Sequence, residues 1–261
     1  MAIQISPIPA FTDNYIWLLD NGAGEAAVVD PGDPDAVLAA LNARQLTLST
    51  ILITHHHFDH TGGIEKLKAA TACTVFGPQN PAITGVDHAL GDGEQVTLFG
   101  NTLSVIAVPG HTLDHIAYSL PGDAAGVPGA LFCGDTLFAG GCGRLFEGTA
   151  AMMRASLAKL SALSPSTRVY CAHEYTLANL KFAEAVEPSN VALQQRIANS
   201  QALRAQAIPT VPSTIALELA TNPFLRVTET SVRTTLQTTQ GLASDDLDTA
   251  FGALRSWKDQ F

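Results

Sequence analysis

The chain has 261 residues, 46% of them hydrophobic and 15% charged, a balance that buries a core and excludes a disordered chain. Its formal net charge of −10 argues against nucleic acid or an anionic membrane surface as a partner. The excess acid lies in residues 1–190, with 8 Lys and Arg against 18 Asp and Glu, whereas residues 191–261 hold 6 of each and none of the 8 histidines.

In chain order, short runs rich in β-branched and aromatic residues predict strands over 3–8, 15–19, 26–29, 48–54, 74–76, 95–98, 103–108, 116–119, 130–133 and 168–171. Helices are expected over 34–42, 63–70 and 150–160, with Pro31-Gly32, Gly91-Asp92-Gly93, Pro121-Gly122 and Gly140-Gly141 as breaks. Near residue 175 the periodicity becomes helical, over 177–185, 191–207, 214–219, 228–239 and 245–257. Ser244 is the expected N-cap of the last of these, with Asp245, Asp246 and Asp248 near its positive end. Leu247, Phe251 and Leu254 recur at helical spacing and should face inward. The reading is an α/β metal-binding domain over residues 1–174 and an all-helical domain over 175–261.

Cys73, Cys133, Cys142 and Cys171 form no CxxC pair, and Cys133 and Cys171 sit in apolar runs as packing residues. The opening MAIQISPIPAF lacks a basic segment followed by an apolar one, and no stretch is long enough to span a bilayer. A cytoplasmic setting without membrane attachment is expected.

The chemistry concentrates at strand ends. His55 and His57 follow the run 50–54, and residues two apart in extended chain point to one side, so these imidazoles converge while His56 points away. Asp59 and His60 come one short turn later. The pattern of a strand delivering a ligand-type residue recurs at His111, Asp135 and His173. Together these are five histidines and two aspartates, more than one tetrahedral ion uses, so two ions are expected. Nitrogen and oxygen donors without thiolate suit zinc, iron or manganese, with zinc placed first. His56, His88 and His115 lack such placement and read as packing or surface residues.

The motifs Asp13-Asn14-Tyr15, Val29-Asp30-Pro31-Gly32, Thr54-His55-His56-His57-Phe58-Asp59-His60, Pro109-Gly110-His111-Thr112 and Gly134-Asp135-Thr136-Leu137-Phe138 strongly resemble the metallo-β-lactamase superfamily. Gly141-Cys142-Gly143-Arg144, His173-Glu174-Tyr175-Thr176, Asn222-Pro223-Phe224-Leu225-Arg226 and Arg255-x-x-Lys258-Asp259 narrow the resemblance to the hydroxyacylglutathione hydrolase, or glyoxalase II, family. The first signature alone identifies the superfamily, and the tail selects the thioesterase branch.

The resemblance implies an αββα sandwich with a C-terminal helical domain. It also implies that His55, His57 and His111 hold one ion, that Asp59, His60 and His173 hold the other, and that Asp135 bridges both. Asp135 and Asp59 are then the catalytic carboxylates, Asp59 as a ligand that could also shuttle a proton. Asp30 resembles an acid that orients a ligand, although a turn residue before Pro31-Gly32 would look the same. Two ions lower the pKa of a shared water toward neutrality and leave net positive charge for an anionic tetrahedral intermediate. The expected reaction is hydrolysis of S-D-lactoylglutathione, or another S-2-hydroxyacylglutathione, to glutathione and the 2-hydroxy acid in methylglyoxal detoxification.

Glutathione carries two carboxylates, which call for cations in an acidic protein. In the resembled family the positions of Arg255 and Lys258 bind the glycine end, Arg144 is a basic contact, and Tyr175 lies beside the ligand His173. Many relatives carry Tyr where this chain has Phe146, a departure that removes a hydroxyl contact. Basic residues late in a helix also offset its dipole, so the spacing of Arg255 and Lys258 alone leaves both readings open. The alternative within the fold is a glutathione persulfide dioxygenase with one iron. A monomer with a small-molecule substrate is expected.

Overall fold

The structure is a computed structural model that describes residues 3–123 and 126–261. Two compact units emerge, the first comprising 1–107, 114–121 and 131–134, and the second 108–113, 122–130 and 135–261.

The first unit opens with the antiparallel pair β1 (Gln4–Ala10) and β2 (Asn14–Asp20), joined through Phe11 with its left-handed backbone (φ 49°). β3 (Glu25–Val29) pairs antiparallel with β2, and then β4 (Thr47–Leu52), β5 (Thr74–Pro78) and β6 (His88–Leu90) add in parallel. Parallel neighbours need crossovers, and α1 (Pro34–Arg44) supplies the one between β3 and β4. α1 starts where Asp33 accepts hydrogen bonds from the Asp35 and Ala36 amides, with Pro34 at its first turn, and it ends at a left-handed Gln45. α2 (Phe58–Thr61) and α3 (Ile64–Thr71) lie between β4 and β5. Val28, Val37, Leu41, Ile51, Ile53 and Leu67 join one buried cluster, which is why these strands read as continuous apolar runs.

In the same unit β7 (Gln95–Leu98) and β8 (Asn101–Ala107) form a hairpin around Phe99-Gly100, both at positive φ as a two-residue turn requires. β9 (Ile116–Leu120) pairs antiparallel with β8, and β10 (Ala130–Gly134) follows it in the sheet order. The buried Tyr118 hydroxyl on β9 donates to the Ile53 carbonyl at 2.9 Å, tying this second sheet to the first.

The second unit holds the small hairpin β11 (Leu137–Phe138) and β12 (Gly141–Cys142), then α4 (Ala150–Ser161), and β13 (Arg168–Cys171) paired with β14 (Ser213–Thr214). The rest is helical: α5 (Thr176–Val186), α6 (Val191–Ala205), α7 (Ile215–Thr221), α8 (Thr230–Gln240) and α9 (Leu247–Gln260). The helical tail therefore carries one short strand, β14, that its periodicity does not show. Ser244 is not the cap of the last helix. Asp246 is, accepting from the Thr249 amide at 2.7 Å, while the Ser244 hydroxyl accepts from the Asp246 amide at 3.1 Å. A carboxylate two residues closer to the helix takes the capping position and Ser244 closes the preceding turn.

A buried polar network pins the hairpin. Glu218 is fully buried and accepts from Arg196 (2.5 Å), the Gly140 amide (2.9 Å) and Asn222 Nδ2 (3.0 Å). Asn222 Nδ2 also donates to the Gly141 carbonyl at 2.8 Å. The Asn222-Pro223-Phe224 motif thus holds the structure together locally, by satisfying backbone groups that the two-residue strands leave unpaired.

Candidate active site

In the first unit the strand expected to reach Thr54 stops at Leu52. At Thr54 the ladder is replaced by a side chain, because the Thr54 amide donates to Asp30 Oδ1 at 2.8 Å. Asp30 itself is left-handed (φ 53°) and its amide donates to the Leu52 carbonyl at 2.9 Å. The chain is diverted there, so that residues 55–57 form a loop running into α2 rather than continued strand.

Asp30 sets the proton of one imidazole and lies against a second. The Thr54 hydroxyl donates to Asp30 Oδ2 at 2.8 Å, so it can only accept from His55 Nδ1 at 3.1 Å. His55 therefore carries its proton on Nδ1 and presents the Nε2 lone pair, which lies 3.1 Å from His57 Nδ1. His60 Nδ1 is 3.0 Å from Asp30 Oδ2, which leaves His60 Nε2 facing Asp59 Oδ2 at 3.3 Å. One carboxylate thus orients His55 through Thr54 and stands beside His60, the usual arrangement behind metal-bound histidines.

The other histidines go elsewhere. His56 turns to Asp114 at 2.9 Å, and the exposed His88 stacks on Phe76 at 4.9 Å. His115 is buried and stacks on His55 with ring centroids 4.6 Å apart, so its packing role is against a candidate ligand. Asn14 donates to Asp59 Oδ2 at 2.9 Å. Neither residue has a local signal for such a role, although Asn14 lies in one of the motifs that carry the resemblance. Gly134 is required before Asp135, since a Cβ there would come within 2.3 Å of Thr54 Oγ1 and its φ is +47°.

In the second unit Asp135 lies between two imidazoles, with Oδ2 at 3.5 Å from His111 Nε2 and Oδ1 at 3.4 Å from His173 Nε2. His111 Nδ1 donates to the Arg144 carbonyl at 2.8 Å, which leaves the Nε2 lone pair toward the carboxylate. Gly143 lets that loop approach, because a Cβ there would overlap the Asp135 carbonyl oxygen at 1.9 Å.

One of these contacts directs acceptor against acceptor, His111 Nε2 against Asp135, and His60 Nε2 faces Asp59 Oδ2 at 3.3 Å. A shared cation is the group that turns such pairs attractive, and the donor set fits a divalent ion with nitrogen and oxygen ligands. Thiolate does not compete, since all four cysteines are buried and burial pushes Cys142 up to about 11 and Cys171 up to about 12.

The expected substrate contacts also lie in the second unit. Arg255 on α9 is buried, donating to the Cys142 carbonyl at 3.0 Å and Asp259 Oδ1 at 2.8 Å, with its guanidinium 5.1 Å from the Phe224 ring centroid. Lys258 Nζ donates to the Ala178 carbonyl at 3.3 Å and lies 5.3 Å from the Phe182 centroid. Burial first, and then the Arg255 charge, pull the Lys258 ammonium below the usual lysine value. Arg144 is 59% exposed, and its Nε is 3.4 Å from Asp259 Oδ1. Tyr175 stacks flat on His173 at 4.7 Å, and the exposed Phe146 meets His111 edge-on at 5.2 Å. The structure thus gathers Arg144 and Arg255 around Asp259, a residue to which sequence reasoning gave no role.

Residues 10–173 match the family model of the metallo-β-lactamase superfamily, and residues 174–261 match the hydroxyacylglutathione hydrolase C-terminus. A hydroxyacylglutathione hydrolase of Pseudomonas aeruginosa is 53% identical over 261 residues, covering 99% of this chain and 100% of that one. The chain belongs to the hydroxyacylglutathione hydrolase family. Among solved structures, the BLEG-1 B3 metallo-β-lactamase is 26% identical with a TM-score of 0.63, covering 86% of this chain and 99% of the other. TTHA1623, solved in a di-iron-bound form, is 27% identical with a TM-score of 0.60, covering 84% and 100%. These likenesses place the hydrolase family's α/β architecture in the metallo-β-lactamase fold, with the helical region that distinguishes the family at its C-terminus.

Proposed function

We infer that the chain is a metal-dependent thioester hydrolase that cleaves S-D-lactoylglutathione, and S-2-hydroxyacylglutathiones generally, to glutathione and the 2-hydroxy acid. The observation that carries this reading is full-length identity of 53% to a hydroxyacylglutathione hydrolase, together with the matching C-terminal segment. The same likeness disfavours the persulfide dioxygenase alternative.

His55, His57 and His111 serve as ligands of one divalent ion and Asp59, His60 and His173 of a second, with Asp135 shared. Two such ions supply a hydroxide near neutral pH and polarise the thioester carbonyl. The protein's part is orientation. Asp30 and Thr54 fix the tautomer of His55, Asp30 stands beside His60, and the Arg144 carbonyl fixes the tautomer of His111. A thiolate leaves readily, so no strong protein acid is needed at the sulfur. Asp59, held by Asn14, can relay a proton. Residues 1–174 carry the metal domain and 175–261 the helical domain that adds substrate contacts. Arg144, Arg255 and Lys258 receive carboxylate, while Phe146 and Tyr175 line the path to His111 and His173. Zinc is the proposed metal, with iron or manganese as alternatives, and the enzyme works as a cytoplasmic monomer. Among the described residues no helix is long and apolar enough to cross a membrane.

Elemental analysis of the purified protein, paired with hydrolysis of S-D-lactoylglutathione, tests this directly. Two metal ions per chain with rapid release of glutathione are expected. Oxygen consumption with glutathione persulfide and no thioester hydrolysis would overturn the reading.

A further inference from the structure

Every charged side chain of the proposed carboxylate seat is already engaged. Asp259 Oδ1 accepts from Arg255 Nη2 at 2.8 Å and lies 3.4 Å from Arg144 Nε. Its charge also acts on Lys258, one residue away, favouring the ammonium against burial and against Arg255. Arg255 keeps a second bond, to the Cys142 carbonyl, and its buried Nε has no hydrogen-bond partner among the described residues. Two guanidinium groups therefore share one internal carboxylate, with the Lys258 ammonium within reach of its charge.

We propose that Asp259 is an intramolecular competitor: its carboxylate occupies the anion seat between Arg144 and Arg255 and is displaced when the substrate's carboxylate binds. This rests on the assignment of Arg144 and Arg255 to substrate carboxylate. Two physical needs explain the residue. Without an anion, Arg144, Arg255 and Lys258 would repel one another, and Asp259 offsets that repulsion in the free enzyme. Glutathione, the product, keeps the same carboxylates as the substrate, so uniformly tight binding would retain it without accelerating the chemistry. A competing carboxylate lowers affinity for substrate and product alike. Asp259 is partly exposed (35%) and sits in the final turn of α9, where it can turn to solvent without leaving a buried charge. Arg255 stays anchored at Cys142 meanwhile.

The test is Asp259→Asn, which keeps size but removes the charge, with Asp259→Glu as the conservative control. KM for S-D-lactoylglutathione and the dissociation constant of glutathione, read by calorimetry, should both fall about two- to fivefold, the range for a partly exposed ion pair. Hydrolysis of the neutral S-acetyl-N-acetylcysteamine should be unchanged, and Asp259→Glu should restore near wild-type constants. A rise in both constants would overturn the proposal, showing that Asp259 positions Arg255 instead, and unchanged constants would show it a bystander. Arg144→Gln, measured alongside, isolates the underlying assignment: if it leaves glutathione binding unaltered, the seat is misassigned, whatever Asp259→Asn does.

Discussion

In the first unit His55 and His60 are completely buried, His55 tied to the carboxylate of Asp30 by hydrogen bonds through Thr54 and His60 Nδ1 3.0 Å from the same carboxylate. In the second unit the proposed carboxylate contacts are long side chains, one of them 59% exposed, sharing a partly exposed Asp259. The difference follows from what each group must do. A metal ligand has to be held to fractions of an ångström and in one tautomer, which needs short side chains and buried partners. A carboxylate is recognised by charge and by forked donors that tolerate movement. Substitutions should therefore act differently in the two places, through metal content in one and through substrate affinity in the other.

The largest effects belong to the proposed ligands themselves. His57→Ala or Asp135→Ala should lower kcat/KM by more than about 100-fold and remove at least one ion per chain by elemental analysis, since even residues behind the ligands are worth about 10- to 100-fold. Two bound ions and a normal rate in either variant would refute the assignment.

Asp30→Asn sharpens the comparison next. Asparagine tolerates the left-handed backbone that Asp30 adopts (φ 53°), so the turn survives while the carboxylate is lost. Metal affinity or activity should drop about 10- to 100-fold with an unaltered circular dichroism spectrum. Normal metal content would mean that Asp30 matters only as a turn residue.

Lys258→Ala probes the other region with less damage than Arg255→Ala, which would also strip the Cys142 carbonyl of its donor. KM for S-D-lactoylglutathione should rise about tenfold, the worth of one charged hydrogen bond, with metal content and the neutral thioester unaffected. An equal loss on both substrates would show that Lys258 supports the fold through Ala178 and Phe182 instead.

What the sequence displayed of this comparison depended on chain distance. The donors from His55 to His60 are consecutive and end a run of apolar residues, so their convergence is legible locally. His115 against His55, and Asn14 against Asp59, join positions 60 and 45 residues apart, and nothing in the spacing announces them. The short end of β4 was hidden for the same reason: the ladder is broken by a side chain from Asp30, 24 residues earlier. β6, β11, β12 and β14 span only two or three residues, too few for any periodicity. The role of Asn222 becomes visible only once β12 lies beside α7's end, where the amide meets the Gly141 carbonyl.

The smallest expected effect is at Phe146, where the family resemblance leads one to expect a tyrosine. Its ring is 61% exposed and meets His111 edge-on at 5.2 Å, so Phe146→Tyr adds a hydroxyl at an open edge without disturbing packed groups. One recovered hydrogen bond to glutathione should lower KM for S-D-lactoylglutathione about two- to fivefold, leaving kcat and metal content as they were. The neutral thioester should not respond, because it lacks the γ-glutamyl and glycyl ends of glutathione that the hydroxyl would meet. An unchanged KM would mean that the aromatic face alone serves at this position. Affinity in this chain would then rest on the cations around Asp259, and combining Phe146→Tyr with Asp259→Asn would give no more than Asp259→Asn alone.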